Sequence, residues 1–347
     1  MPSPEPEHTL VVSAAESGQK LLQYLVRRLG LSQSMLHRWI RTGQIRVNGG
    51  RGKPFLRIAD GDQVRLPPFA LKMAASAQAG APAAPAEGPR LPAFLRRGRF
   101  GKRASLPTDL ALPPLIARQG DIWAYDKPAG LPVQPGTGHA DSMATRLAAA
   151  FSGAPFLPTP AHRLDMDTSG VLLVGASYGA LRLLQDAFRS HGMVKEYLAW
   201  VEGRWEHEAP RLLCHQMAKK YSGYFERVET GAGRDACCIV SPLLRGERGS
   251  LLHVRLITGR THQIRVQLSA CGHPLMGDGK YGAASNQGFL LHACRLILPN
   301  ALPDGGTATF ETPPPWTGGR ALGELPPSLT DASCQDMIAE FLTSRTQ

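Results

Sequence analysis

Residues 162–170 read His162-Arg163-Leu164-Asp165-Met166-Asp167-Thr168-Ser169-Gly170, a run that sets two carboxylates beside an imidazole and a guanidinium. Two more stretches hold comparable chemistry. One is Lys195-Glu196-Tyr197; the other is Thr258-Gly259-Arg260-Thr261-His262-Gln263-Ile264-Arg265, which continues through Gly272-His273-Pro274 to Gly277-Asp278 and Lys280-Tyr281-Gly282. A carboxylate, a phenol and a guanidinium are the parts of an acid–base or charge-stabilising site. Taken singly, Arg163 beside Asp165 is equally a surface ion pair, and such pairs contribute little. A metal site is not expected: His262, Cys271 and His273 are irregularly spaced and lack a fourth ligand, and no Cys-x-x-Cys occurs.

The flanking residues say what must position these groups. Pro155, Pro158 and Pro160 mark a loop before the charged run, and Val171–Val174 after it is an apolar strand bounded by glycines. A charged loop therefore feeds a core strand, with Thr168 and Ser169 hydrogen-bonding the loop and Gly170 permitting the turn. Ile122–Tyr125, Tyr197–Val201, Ala236–Val240, Leu251–Ile257 and Phe289–Leu298 read as further strands, the last interrupted by His292. Tyr178–Ser190 and Thr261–Ala270 read as helices, with a last helix over Asp331–Leu342. No strand–helix unit repeats, so the expected class is α+β with a mixed, mainly antiparallel sheet.

The charge is unevenly placed. Net charge is +11, yet residues 1–110 hold 17 Lys/Arg against 7 Asp/Glu while residues 111–347 hold 22 against 21. A basic block of this kind attracts a polyanion, although charge alone also suits a solvated surface. Leu21, Leu22, Leu25, Val26 and Leu29 share one helical face, and a second helix after Ser32 turns Met35, Leu36, Trp39 and Ile40 inward. Gln44–Gly50 then reads as an alternating strand closed by a turn signal, and Asp60–Leu66 as a closing strand. Arg38, Arg41, Arg46, Arg51 and Lys53 populate the basic side of this module and are the expected contacts to nucleic-acid phosphates.

Residues 70–110 read as a linker. Ala81–Ala86 alternates alanine and proline, and Phe94–Arg103 interleaves arginine with phenylalanine, a pattern suited either to single-stranded RNA or to a basic tether. The chain opens acidic and proline-rich rather than as a secretory signal, and has no apolar run long enough for a membrane span. A cytoplasmic protein is expected, with its six cysteines as buried free thiols.

The three chemical stretches, in this order, resemble the RluA-type pseudouridine synthases over about Asp121 to Pro299, and the first module resembles the S-four-type RNA-binding domain. The resemblance implies a division into residues 1–69 (RNA-binding), 70–110 (linker), 111–325 (catalytic) and 326–347 (tail). It implies that uridine in RNA is isomerised to pseudouridine without a cofactor, by Asp165 as catalytic carboxylate, Arg265 as its partner and Tyr197 stacked on the base, with its hydroxyl a candidate to abstract a proton. It further implies substrate contacts from Arg163, His162, Thr168, Arg260 and His262, and from Lys127, whose Lys-Pro-Ala-Gly segment matches one lining the family's cleft. The RNA implied is large-subunit ribosomal RNA, with transfer RNA as the nearest alternative and a silent RNA-binding or assembly factor as the alternative from another class. No membrane partner is expected, and a monomer is. Gln267 and Gln134 depart from the family pattern, where histidine is frequent, which puts local RNA contacts there in question.

Overall fold

The computed structural model describes residues 8–80, 111–136, 141–222, 225–282, 288–301 and 305–343. The Ala/Pro stretch and the arginine–phenylalanine stretch between 81 and 110 lie outside the described residues. The rest divides into two compact units. One falls within 1–110, 135–159 and 175–183, the other within 111–134, 160–174 and 184–347.

In the first unit, β1 (Thr9–Val11) precedes helices α1 (Leu21–Leu29) and α2 (Gln33–Arg41), then β2 (Arg46–Val47), β3 (Gly50–Arg51) and β4 (Gln63–Arg65). The strands form a sheet in the order β1-β4-β2-β3. Its core joins Leu21, Leu25, Leu36, Trp39, Ile45 and Val64, the inward faces expected from the periodicity. Helix α3 (Ala70–Gly80) occupies the start of the expected linker, and its Ala70 and Ala74 belong to the same core. Arg46 lies directly opposite Arg51 on one side and Arg65 on the other. Three exposed cations abreast repel one another, an arrangement that a bound polyanion relieves.

The second unit opens with β5 (Leu115–Gln119) and β6 (Ile122–Lys127); α4 (Met143–Ala150) falls in the first. There follow β7 (Thr159–Pro160), β8 (Ser169–Gly175), α5 (Tyr178–Arg189), β9 (Val194–Glu202), β10 (Arg211–Ser222) and β11 (Phe225–Thr230). After these come β12 (Arg234–Gly246), β13 (Gly249–Leu256), α6 (Gln263–Ala270), β14 (Leu291–Leu298), β15 (Ala308–Glu311) and α7 (Ala332–Thr343). Eleven strands form one sheet in the order β11-β10-β12-β13-β9-β14-β8-β6-β5, with β15 on β14 and β7 on β8. Strands β14 and β8 run parallel, through His292–Ser169 and Ala293–Gly170, while β9 to β13, β14 with β9 and β15, and β5 with β6 pair antiparallel, so the sheet is mixed and mainly antiparallel, as expected. Among the described residues no helix is long and apolar enough to cross a membrane.

Strand β9 separates two environments by simple alternation. Ala199 and Val201 join the core that Ile264 and Leu268 of α6 close, while Leu198 and Trp200 face a second cluster with Leu251 and Leu290. Strands β10, β11 and β15 were not legible as strands. The cysteine expectation needs correction too. Cys238, Cys294 and Cys334 are buried free thiols, but Cys271 is exposed, and Cys214 and Cys237, directly opposite on β10 and β12, form a disulfide. Strand register put those two side by side, which sequence spacing could not reveal.

Candidate active site

The charged loop is held from behind. Lys127 has no exposed surface, and its Nζ donates to the carbonyls of Pro128 (2.9 Å), Leu131 (2.8 Å) and Met166 (2.9 Å). The Gly130 N–H also reaches the Met166 carbonyl, and the Thr168 N–H closes on that of Asp165 (3.2 Å). Lys127 is therefore a strut beneath the loop and does not line the cleft, which corrects its expected role as a substrate contact. His162 is likewise engaged: its Nε2 accepts the Leu173 N–H at 3.0 Å. Burial, and then the charge of Lys195, push its pKa down to about 3, so the ring stays a neutral acceptor that pins the loop to β8.

Gly170 ends the loop at φ 113°, and a Cβ there would stand 2.2 Å from the Ala293 carbonyl oxygen. Only glycine lets β8 approach β14 at this point. Next to it, Ser169 Oγ donates to Nδ1 of buried His292 (2.9 Å), whose Nε2 donates to the Thr312 carbonyl (2.9 Å). The polar interruption in the β14 pattern is thus a satisfied internal bridge.

Asp165 meets Arg265 across 100 residues of chain, with Nη1 to Oδ2 at 3.2 Å. Arg265 is the third residue of α6, where the helix dipole disfavours a cation, and it is buried (9% exposed). A second carboxylate makes this tenable. Asp278, wholly buried, takes Nε and Nη2 of Arg265 at 2.8 Å each, together with the N–H groups of Lys280 (3.0 Å) and Tyr281 (3.2 Å). Burial alone would raise the Asp278 carboxyl; the hydrogen bonds and charge of Arg265, and then those amides, bring it below the usual carboxylate range. The guanidinium also lies over the rings of Tyr281 (5.2 Å) and Phe289 (5.0 Å).

His262 adopts φ 54°, which turns its ring into the cleft with Nε2 3.8 Å from Asp165 Oδ2 and Nδ1 2.8 Å from the Tyr281 hydroxyl. The Val228 N–H donates to that hydroxyl (3.2 Å), so Tyr281 ties His262 to β11. Burial lowers the His262 pKa, with Asp165 acting in the opposite sense and Arg265 adding to the lowering. For Tyr197, burial and then the charge of Asp165 raise the phenol pKa. It remains a protonated phenol at neutral pH, a donor and stacking surface rather than a resting base.

Asp165, Tyr197, Arg265, Arg163, His162, Thr168, Arg260 and His262 all line one cleft of about 490 Å³. Arg163 is exposed at it, Thr168 is buried beneath it, and Arg260 is oriented by Nε bonding the Asp235 carbonyl (3.0 Å). Gln263 braces the turn, accepting from Thr258 Oγ1 (2.8 Å) and the Arg260 N–H (3.0 Å). A larger open groove of about 830 Å³ by Trp200, Arg248 and Arg320 contains none of these groups. Asp278, Tyr281 and Lys195 were missed as site residues, although all three stood in the quoted stretches. Their place inside those stretches was the available signal. Gln267 is fully buried and donates to the carbonyls of Leu213 (3.1 Å) and Ala236 (2.9 Å), so its departure from the pattern alters the core and not an RNA contact. Arg38, Arg41, Arg46, Arg51 and Lys53 are all exposed on the first unit.

Residues 121–270 match the family described as RNA pseudouridylate synthase. Ribosomal large subunit pseudouridine synthase C of Yersinia pestis is 34% identical over 277 residues, covering 79% of this chain and 79% of that protein. The protein of the same name from Haemophilus influenzae is 32% identical over 283 residues, 79% of this chain and 78% of that one. Among solved structures, human RNA Pseudouridylate Synthase Domain Containing 1 has the same fold, with a TM-score of 0.52 at 23% identity over 69% of this chain and 98% of that one.

Proposed function

This chain belongs to the RNA pseudouridylate synthase family, and on that premise we propose that it isomerises uridine in large-subunit (23S) ribosomal RNA, with Asp165 as the working carboxylate. The relatives named for the large ribosomal subunit support that choice of RNA. The observation that carries the role of Asp165 is its place in the cleft: it accepts a single bond from an arginine whose other donors are tied to a buried second carboxylate.

The reaction breaks the bond from N1 of uracil to C1′ of ribose, turns the base, and joins C5 to C1′; the proton lost from C5 is balanced by one gained at N1, so the product is an isomer. Positive charge develops at the sugar as the first bond breaks, and a fixed carboxylate stabilises it. Asp165 supplies that charge, and Arg265 holds it in one orientation without reorganisation at the moment of reaction. Tyr197 packs against the base and donates from its phenol while the base is unattached. His262, with its Nε2 3.8 Å from Asp165 Oδ2, completes the polar wall. A target within folded RNA has to leave its stack, and Arg163 stands exposed at the cleft to fill the gap. The basic face of the first unit, with Arg46, Arg51 and Arg65 abreast, grips phosphates without reading sequence.

The test maps pseudouridine in ribosomal RNA by carbodiimide primer extension in cells with and without the gene. Particular stops should vanish on deletion and return with the wild-type protein but not with Asp165→Asn. An unchanged map, or full restoration by Asp165→Asn, sinks the reading.

A further inference from the structure

Two lysines of the second unit are buried, and they differ in one respect. Lys127 spends all three donors on carbonyls. Lys195, 6% exposed, finds neither a hydrogen bond nor an ion pair among the described residues, and it lines the cleft. Its directly opposite neighbours on the flanking strands are Leu256 and Leu296, which line the cleft with it and keep water from its stem. Desolvation by the apolar wall disfavours this cation, and an anion entering the cleft that Lys195 lines would relieve it.

The surroundings specify that anion. Arg260 and His191 line the same part of the cleft. Burial and then the charges of Lys195 and Arg260 depress the His191 pKa, and Lys195 acts on His162 in the same way, so these groups sit close together. None of the described carboxylates forms an ion pair with Lys195 or Arg260. Asp165 is held instead by Arg265, which Asp278 also binds, so the carboxylate and the cations Lys195 and Arg260 are engaged separately. A nucleotide matches this division, with its sugar and base toward the carboxylate and its phosphate toward the cations.

We propose that Lys195, oriented between Leu256 and Leu296 and assisted by Arg260 and His191, is a phosphate seat that takes the phosphodiester adjoining the target nucleotide. The inference rests on the RNA-isomerase reading of the same cleft. It makes Lys195 a binding residue that sets the depth to which the everted nucleotide enters, while Asp165 does the chemistry.

The experiment uses the full chain and a short RNA containing a mapped target uridine. The phosphodiesters on its two sides are replaced, one at a time, by uncharged methylphosphonate. For wild type, one of the two replacements should raise KM about tenfold to a hundredfold, the worth of one charge-assisted hydrogen bond. In Lys195→Met, KM on unmodified RNA should rise by the same factor, kcat should change far less, and the sensitive replacement should cost nothing more. The salt slope of binding should fall by about one. Lys195→Met should also melt at a higher temperature than wild type, since it removes an uncompensated charge, and Lys195→Arg should recover most of the KM. Equal sensitivity of wild type and Lys195→Met to both replacements overturns the seat, as does a loss confined to kcat. If Lys195→Met does not fold, Lys195→Gln enters the same cycle. Wild type that forms no pseudouridine in this RNA refutes the premise instead, so the two failures are distinct.

Discussion

Asp278→Asn changes one charge and almost no volume, and it isolates what the second carboxylate does for Arg265. In wild type the guanidinium is fastened by two 2.8 Å bonds to Asp278 and reaches Asp165 by one at 3.2 Å. The amide keeps an acceptor oxygen for one of the two bonds, but leaves a buried cation near a helix N-terminus with half its compensation. Removing one partner of a buried ion pair costs about 3–5 kcal/mol, and the retained acceptor puts this case at the lower end, about 3 kcal/mol. For a unit of this size that corresponds to a fall in Tm of roughly 6–12 °C. The guanidinium would also shift toward Asp165, and a displacement of about 1 Å at a reacting group costs about a hundredfold in rate. Single-turnover release of tritium from RNA labelled at uridine C5 reads that rate, and calorimetry reads the stability. The pH dependence adds a signature that mere loosening would not. The Asp278 pKa is below its unfolded value, so its contribution is complete above about pH 4. It is lost as pH falls through the folded pKa, because the unfolded chain takes up the proton first. Wild type should lose stability in that acid window more steeply than Asp278→Asn. A variant that melts with wild type and turns over within threefold of it would refute the positioning role.

Two further outcomes follow from other parts of the molecule. Gly170→Ala drives a Cβ to 2.2 Å from the Ala293 carbonyl oxygen at a positive φ, so it should cost about 3 kcal/mol or more in urea unfolding and abolish turnover with it. Arg46→Glu with Arg51→Glu reverses two of three neighbouring cations; the salt slope of RNA binding should drop by about 1.5 or more, with turnover at saturating RNA retained.

The sequence by itself determined the local matters. Proline, glycine and four apolar residues around 162–174 made a charged loop running into a buried strand, because turn chemistry and side-chain alternation act over a few residues. The partition of charge between the first 110 residues and the rest was equally plain, since it is a property of composition. The three separated stretches were enough to point to the family. What only the tertiary structure decided were contacts made through the sheet. Lys127 and Lys195 are the same residue type, yet one is a strut bonded to three carbonyls and the other an unpaired charge in the cleft. Arg265 has two carboxylate partners, Gln267 points into the core, and Cys214 meets Cys237. The Arg265 and cysteine contacts depend on strand register and helix placement, which bring together residues from 13 to 100 positions apart. Burial then sets which charges must be paired, and no local pattern carries that information.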